Sequence, residues 1–103
     1  MQKYYKAVRK LRKECPTLYP VRVRRTTIGR PLYGDCGFHK SNETFSIRIL
    51  KTLDEINAIE TLIHEWAHAM TWFALAAIAS EGDHNSEWGV AYARCYRALY
   101  LDR

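Results

Sequence analysis

Paired cysteines are what this chain most plainly lacks. It has three, Cys15, Cys36 and Cys95, widely separated and never in a C-x-x-C spacing, which argues against both a disulfide framework and a thiolate metal site. Reduced, mostly buried thiols in a cytoplasmic, intracellular protein are expected instead. Long hydrophobic runs are missing too. The longest, Ala69 to Ala79, has eleven residues, against the roughly twenty that span a bilayer, so no membrane partner is expected. The first thirteen residues hold six Lys or Arg and no apolar stretch, which excludes a secretory signal. No repeat, linker or low-complexity segment interrupts the chain.

Acidic side chains are scarce in one half only. Residues 1–52 carry 13 basic and 3 acidic groups, whereas residues 53–103 carry 3 basic and 8 acidic. The net charge of +5 therefore hides a basic first half and an acidic second half. Such asymmetry suggests that the first half faces a polyanion, with nucleic acid as the leading candidate and Arg22, Arg24, Arg25 and Arg48 as the candidate contacts. With 103 residues, 48% of them hydrophobic and 13% aromatic, there is apolar material for one modest core and too little chain for two. One domain over 1–103 is expected, as a monomer.

Periodicity divides it. Tyr4, Val8, Leu11 and Cys15 recur every three or four residues, which predicts a basic amphipathic helix within 1–18 that Pro16 ends. Residues 19–50 read as a small sheet. Val21 and Val23 alternate with Arg22 and Arg24 in a strand over 19–27. A second strand over 32–39 is weakened by Gly34 and Gly37, and Thr44 to Leu50 is the clearest strand, with Phe45, Ile47 and Ile49 on one face. Turns are expected at Gly29-Arg30-Pro31 and over 40–43. A long helix over 52–80 follows, capped by Thr52 with Glu55 closing a capping box. Its stripe is Ile56, Ile59, Ile63, Trp66, Ala67, Met70, Phe73, Ala74 and Ala77, and Gly82 is its stop. A last helix over 86–101, capped by Ser86, carries Trp88, Ala91, Tyr92, Cys95 and Leu99 at core spacing. The order helix, three strands, long helix, helix predicts an α+β fold.

Within the long helix stands His64-Glu65-Trp66-Ala67-His68, an H-E-x-x-H. Two histidines four apart on a helix are rotated by about 40° and displaced by about 6 Å, so both imidazoles reach one ion. Glu65 falls beside that ion, where it can take a proton from water without being a ligand. With 4 His and 7 Glu in the chain, the pattern arises by accident roughly once in a hundred shuffled sequences. A catalytic zinc needs a third protein ligand. His84, after a gap of fifteen residues, is favoured over Glu87 because neutral imidazole suits zinc. His39 reads as a surface histidine, and Glu60, one turn before His64, as a surface group or a support for that ligand. Tyr92, Arg94 and Tyr96 are candidates to stabilise a developing oxyanion.

H-E-x-x-H, this gap, and then His84-Asn85-Ser86-Glu87-Trp88 resemble the SprT-like zinc metallopeptidases, the family of the Spartan proteases, over about 19–100. There the third histidine begins an H-G-x-x-[F/W]; here Asn85 replaces the glycine, and asparagine tolerates the left-handed conformation a glycine would adopt. The resemblance implies a minimal zincin-like domain binding one catalytic Zn²⁺ and hydrolysing peptide bonds in DNA-associated proteins, as in repair of DNA–protein crosslinks. His64, His68 and His84 would be the ligands and Glu65 the catalytic base. It implies a catalytic domain alone, since the paired cysteines of the family's C-terminal zinc ribbon are missing. An extended substrate is expected along an edge strand, either 44–50 or 32–39. The alternatives are a non-catalytic zinc-stapled DNA-binding or adaptor protein and a zinc hydrolase of other acyl groups.

Overall fold

Burial of one face of each element organises the structure, a computed structural model that describes residues 1–74 and 84–101. Helix α1 (Gln2–Glu14) buries Tyr4, Ala7, Val8 and Leu11 and turns its lysines outward. Cys15 closes it, donating its N–H to Leu11 O at 2.8 Å, and Pro16, with no N–H to give, prevents continuation.

Three strands follow: β1 (Val21–Thr26), β2 (Gly34–His39) and β3 (Thr44–Leu50). Their order is β1-β3-β2, with β3 parallel to β1 and antiparallel to β2. The strand with the cleanest alternation is therefore central. Phe45, Ile47 and Ile49 have no solvent exposure, because β3 is paired on both sides and covered on one face. That corrects half of the expected alternative: β3 has no free edge, and β2 is the edge strand on that side of the sheet. Both outer strands are shorter than expected. Pro20 cannot donate into the ladder, and Leu32 is held in a turn by its N–H to Gly29 O at 3.2 Å.

Helix α2 (Glu55–Met70) lies on the inner face of the sheet and buries Ala58, Leu62, Ile63, Trp66 and Ala69 in a core shared with Phe45, Ile47, Ile49 and α1. The buried Trp66 indole donates to Cys15 O at 2.8 Å, which ties the middle of α2 to the end of α1. This helix departs from expectation at both ends. Asp54 caps it, accepting from the Asn57 N–H at 2.8 Å, and the expected capping-box residue, Glu55, instead accepts from the Tyr4 N–H at 3.1 Å. It stops at Met70, where the Thr71 hydroxyl donates back to Ala67 O at 2.8 Å and Phe73 leaves the helical path to pack on Tyr19, Phe38 and Phe45. Ile56, expected in the stripe, is 72% exposed. Ala77, Ala79 and Gly82 lie outside the described residues.

Helix α3 (Ser86–Tyr100) packs on α1 and α2 through Ala91, Cys95 and Ala98. Its cap is Asn85 rather than Ser86, with the Asn85 side-chain Oδ1 accepting from the Trp88 N–H at 3.0 Å. The whole is an α+β fold of three helices and one mixed sheet among the described residues. No helix among them is long and apolar enough to cross a membrane.

Candidate metal centre

His64 and His68 leave α2 on the same side, one turn apart, with ring centroids 4.9 Å from each other. The residue that joins them comes from the start of α3. His84 lies with its ring 4.8 Å from that of His64 and 5.0 Å from that of His68. One nitrogen from each of the three falls within 4.8 Å of the others. The Nε2 atoms of His64 and His84 are 3.2 Å apart, close to the roughly 3.3 Å that separates two nitrogens bound tetrahedrally to one ion at about 2.05 Å. The donor set and spacing fit a first-row metal ion. Glu87, the competing third ligand, is exposed on the first turn of α3 and is not in the group.

Asn85 makes this convergence possible in a way its residue type only half suggests. Its backbone is extended, with φ −77° and ψ −176°, rather than left-handed. It replaces a glycine by serving as the cap of α3, and so fixes His84 immediately outside the first turn. Trp88 then covers the trio. Its ring centroid is 5.1 Å from His64, 5.5 Å from His68 and 4.5 Å from His84.

The protonation states suit ligation and base chemistry. Burial, and next the neighbouring His84, hold the His64 pKa below its ordinary value, which keeps the imidazole neutral and able to bind a cation. Glu65 is 8% exposed, and its Oε2 is 4.0 Å from His64 Nε2. Burial first, and then the charge of Asp35, push its carboxyl up to about 7. A buried carboxyl beside three imidazoles is placed to accept and release a proton.

Residues that the motif did not point to also surround Glu65. Cys36, on β2, faces it from the sheet, and burial, with Glu65 and Asp35 adding to it, pushes its thiol up to about 12. The thiol stays protonated and unreactive. A groove of about 400 Å³ runs from His64 and Glu65 between Leu32, Tyr33 and Gly34 on one side and Glu60 and Thr61 on the other. Nothing in their spacing marks these positions, because they meet only when β2 docks on α2. Gly34 allows that docking. A Cβ there would lie 2.7 Å from Thr61 Cγ2 and 2.9 Å from Arg48 O.

The other expected residues divide. Arg94 turns away, donating to Glu14 O at 3.1 Å, and Tyr96 stacks between Tyr92 and Tyr100. Burial first, and then the neighbouring Glu60 and Tyr96, raise the Tyr92 hydroxyl above its ordinary value. Arg22, Arg24 and Arg48 share the outer face of the sheet, the side away from α2, in a depression of about 760 Å³ that also includes His39. There Arg48 pairs with Asp35. Arg25 does not join them. Its Nη2 reaches the carbonyls of Leu50, Lys51 and Leu53 at 3.0 to 3.2 Å, and its guanidinium lies 5.0 Å from the Tyr4 ring centroid.

Comparison with known proteins agrees with the motif. The family model described as SprT-like matches residues 2–101. The chain belongs to the SprT-like family. The match includes α1, which lies outside the stretch where the motif resemblance was legible, so the basic helix is part of the SprT-like domain. No curated protein and no solved structure gives a match.

Proposed function

We propose that this SprT-like protein is a zinc-dependent endopeptidase acting on DNA-associated proteins. The observation that carries the reading is the convergence of His64, His68 and His84 beside a buried Glu65. Zn²⁺ held by the three imidazoles would supply the Lewis acid that activates water and polarises a carbonyl. Glu65 accepts the proton of the attacking water and hands it to the leaving amine. As an edge strand among the described residues, β2 offers main-chain partners to an extended substrate, and such pairing is tolerant of sequence. Arg22, Arg24 and Arg48 would meet the DNA backbone on the opposite face of the sheet, so nucleic acid and peptide need not compete for one surface.

A zinc-stapled adaptor is the second reading. It leaves Glu65 unexplained, because a purely structural site has no use for a carboxyl buried next to its ligands, and burying that carboxyl is costly. The experiment that separates them measures metal content and cleavage of DNA-associated proteins, with and without DNA and chelator, for the wild type and Glu65→Gln. The expected result is one zinc per chain in both proteins and a hundredfold or greater loss of cleavage in the variant, roughly the worth of a general base. A variant that cleaves at the full rate would remove Glu65 from the chemistry, and a zinc-loaded wild type that cleaves nothing would favour the adaptor.

A further inference from the structure

The outer face of the sheet carries positive charge that the fold leaves unneutralised. Arg24 stands directly opposite Arg48 in the parallel register of β1 and β3, and like charges so placed are destabilising. Asp35 holds Arg48 from β2, accepting from its Nε at 2.9 Å. Arg22 and Arg24 have no hydrogen bond or ion pair with another described residue. Beside these arginines the surface dips. The register Arg22–Ser46–Gly37 crosses all three strands; its middle position has a small side chain and its last has none, and a Cβ at Gly37 would meet nothing within 4 Å. The row Arg24–Arg48–Asp35 flanks it on one side and the pair Thr44–His39 on the other. The depression of about 760 Å³ is therefore a trough that runs across the strands, with Ser46 and Gly37 as its floor.

We propose that this trough is a phosphate site that seats the backbone of double-stranded DNA; this rests on, and deepens, the reading above in which Arg22, Arg24 and Arg48 meet DNA. A phosphate over the floor accepts from the Ser46 hydroxyl and lies between the unpaired guanidinium groups, and Gly37 leaves room for the sugar-phosphate chain to continue across β2. Charge complementarity selects a polyanion, and the lining selects the duplex. No aromatic side chain lines the trough, so it offers no platform for unpaired bases, whose stacking is what single-strand sites use. A duplex needs no such platform, because its bases are already stacked and its phosphates face outward. Contacts of this kind position the duplex without reading its sequence. The metal centre and its groove lie on the α2 side of the sheet, so a seated duplex leaves them open.

The test measures fluorescence anisotropy of a labelled short duplex, and of one of its strands alone, on the zinc-loaded protein. The wild type should bind the duplex more tightly than the single strand. Ser46→Asp, which sets a carboxylate on the floor, should weaken duplex binding about tenfold at low salt, and Ser46→Lys should tighten it and steepen the slope of log Kd against log salt by about one. A variant that fails to fold can weaken binding but not tighten it, so the two substitutions separate a site from damage to the sheet. Ile56→Asp, the same change of charge at an exposed position on α2, should change Kd by less than about twofold. Cleavage of a free peptide should be the same for both Ser46 variants and the wild type. If the duplex binds but neither Ser46 variant changes Kd, or if the single strand binds as tightly as the duplex, the trough is not a duplex site and the reading of the arginines as DNA contacts stands. If no nucleic acid binds, both fail.

Discussion

The Trp88 indole N–H donates to the main-chain carbonyl of His64 at 3.4 Å, joining the first turn of α3 to the turn of α2 that carries the motif. The same ring lies against all three imidazoles, so one side chain fixes both the distance between the helices and the orientation of the metal-binding groups.

Trp88→Ala should therefore weaken zinc binding about ten- to a hundredfold, the usual cost of losing a group that orients ligands. Trp88→Phe, which keeps an aromatic wall but loses the N–H, should fall between that variant and the wild type. Competition against a chelating dye measures both. An alanine variant that holds zinc as tightly as the wild type would mean that the histidines are oriented without the indole.

Metal-free protein should show the strain of the site as pH dependence. The Glu65 carboxyl rises from 4.5 to about 7 on folding, so the folded state favours its protonated form, and stability is lost as pH rises between those values. His64 acts in the opposite sense. Its lowered pKa removes stability as pH falls below the ordinary histidine value. Because Glu65→Gln leaves the histidine contribution in place, the difference between variant and wild type isolates the carboxyl. Going from pH 5 to pH 8 should favour the variant by ~2 kcal/mol. Urea denaturation in chelator at the two pH values reads this directly, and a difference that does not change with pH contradicts it.

Gly34 holds β2 against α2. A methyl group there meets Thr61 Cγ2 and Arg48 O inside van der Waals distance, so Gly34→Ala should cost roughly 1–3 kcal/mol. Gly37→Ala, with nothing within 4 Å of its added Cβ, should be close to neutral. Combining Gly34→Ala with Thr61→Ser relieves one of the two clashes and should recover part of the loss. Equal thermal midpoints for the Gly34 and Gly37 variants would show that the close approach is not needed.

The arginines should separate into two classes. Reversing Arg22 and Arg24 to glutamate should weaken DNA binding and lower the slope of log Kd against log salt by about two, one for each phosphate that is no longer neutralised. Arg25→Ala should instead destabilise the fold, since it removes a side-chain donor shared by three main-chain carbonyls. If Arg25→Ala lowers the salt slope as the Arg22 and Arg24 reversals do, while stability is unchanged, the division is wrong.

What could be read from the chain was local. H-E-x-x-H on a helix places two imidazoles and a carboxylate by helical pitch alone, and the alternation of Thr44 to Leu50 marks a strand without reference to any neighbour. Alternation continued from Val21 also places Arg25 opposite Arg24, although composition alone grouped them. Caps were less legible. Thr52 and Asp54, or Ser86 and Asn85, are equally able to cap, and the choice depends on where the helix must start to bury its stripe.

By itself, then, the sequence determined the chemistry available: the helix with its motif, one third histidine within reach, a basic half and an apolar content sufficient for one core. Tertiary structure decided the rest. It made β3 central and β2 an edge strand among the described residues, brought His84 rather than Glu87 to the imidazole pair, gathered Leu32, Tyr33 and Glu60 along one groove, and turned Arg25 inward. Each of these depends on contacts between residues far apart in the chain. Helix and strand periods arise from backbone geometry within a few residues, whereas strand order and helix docking are set by which buried faces fit together.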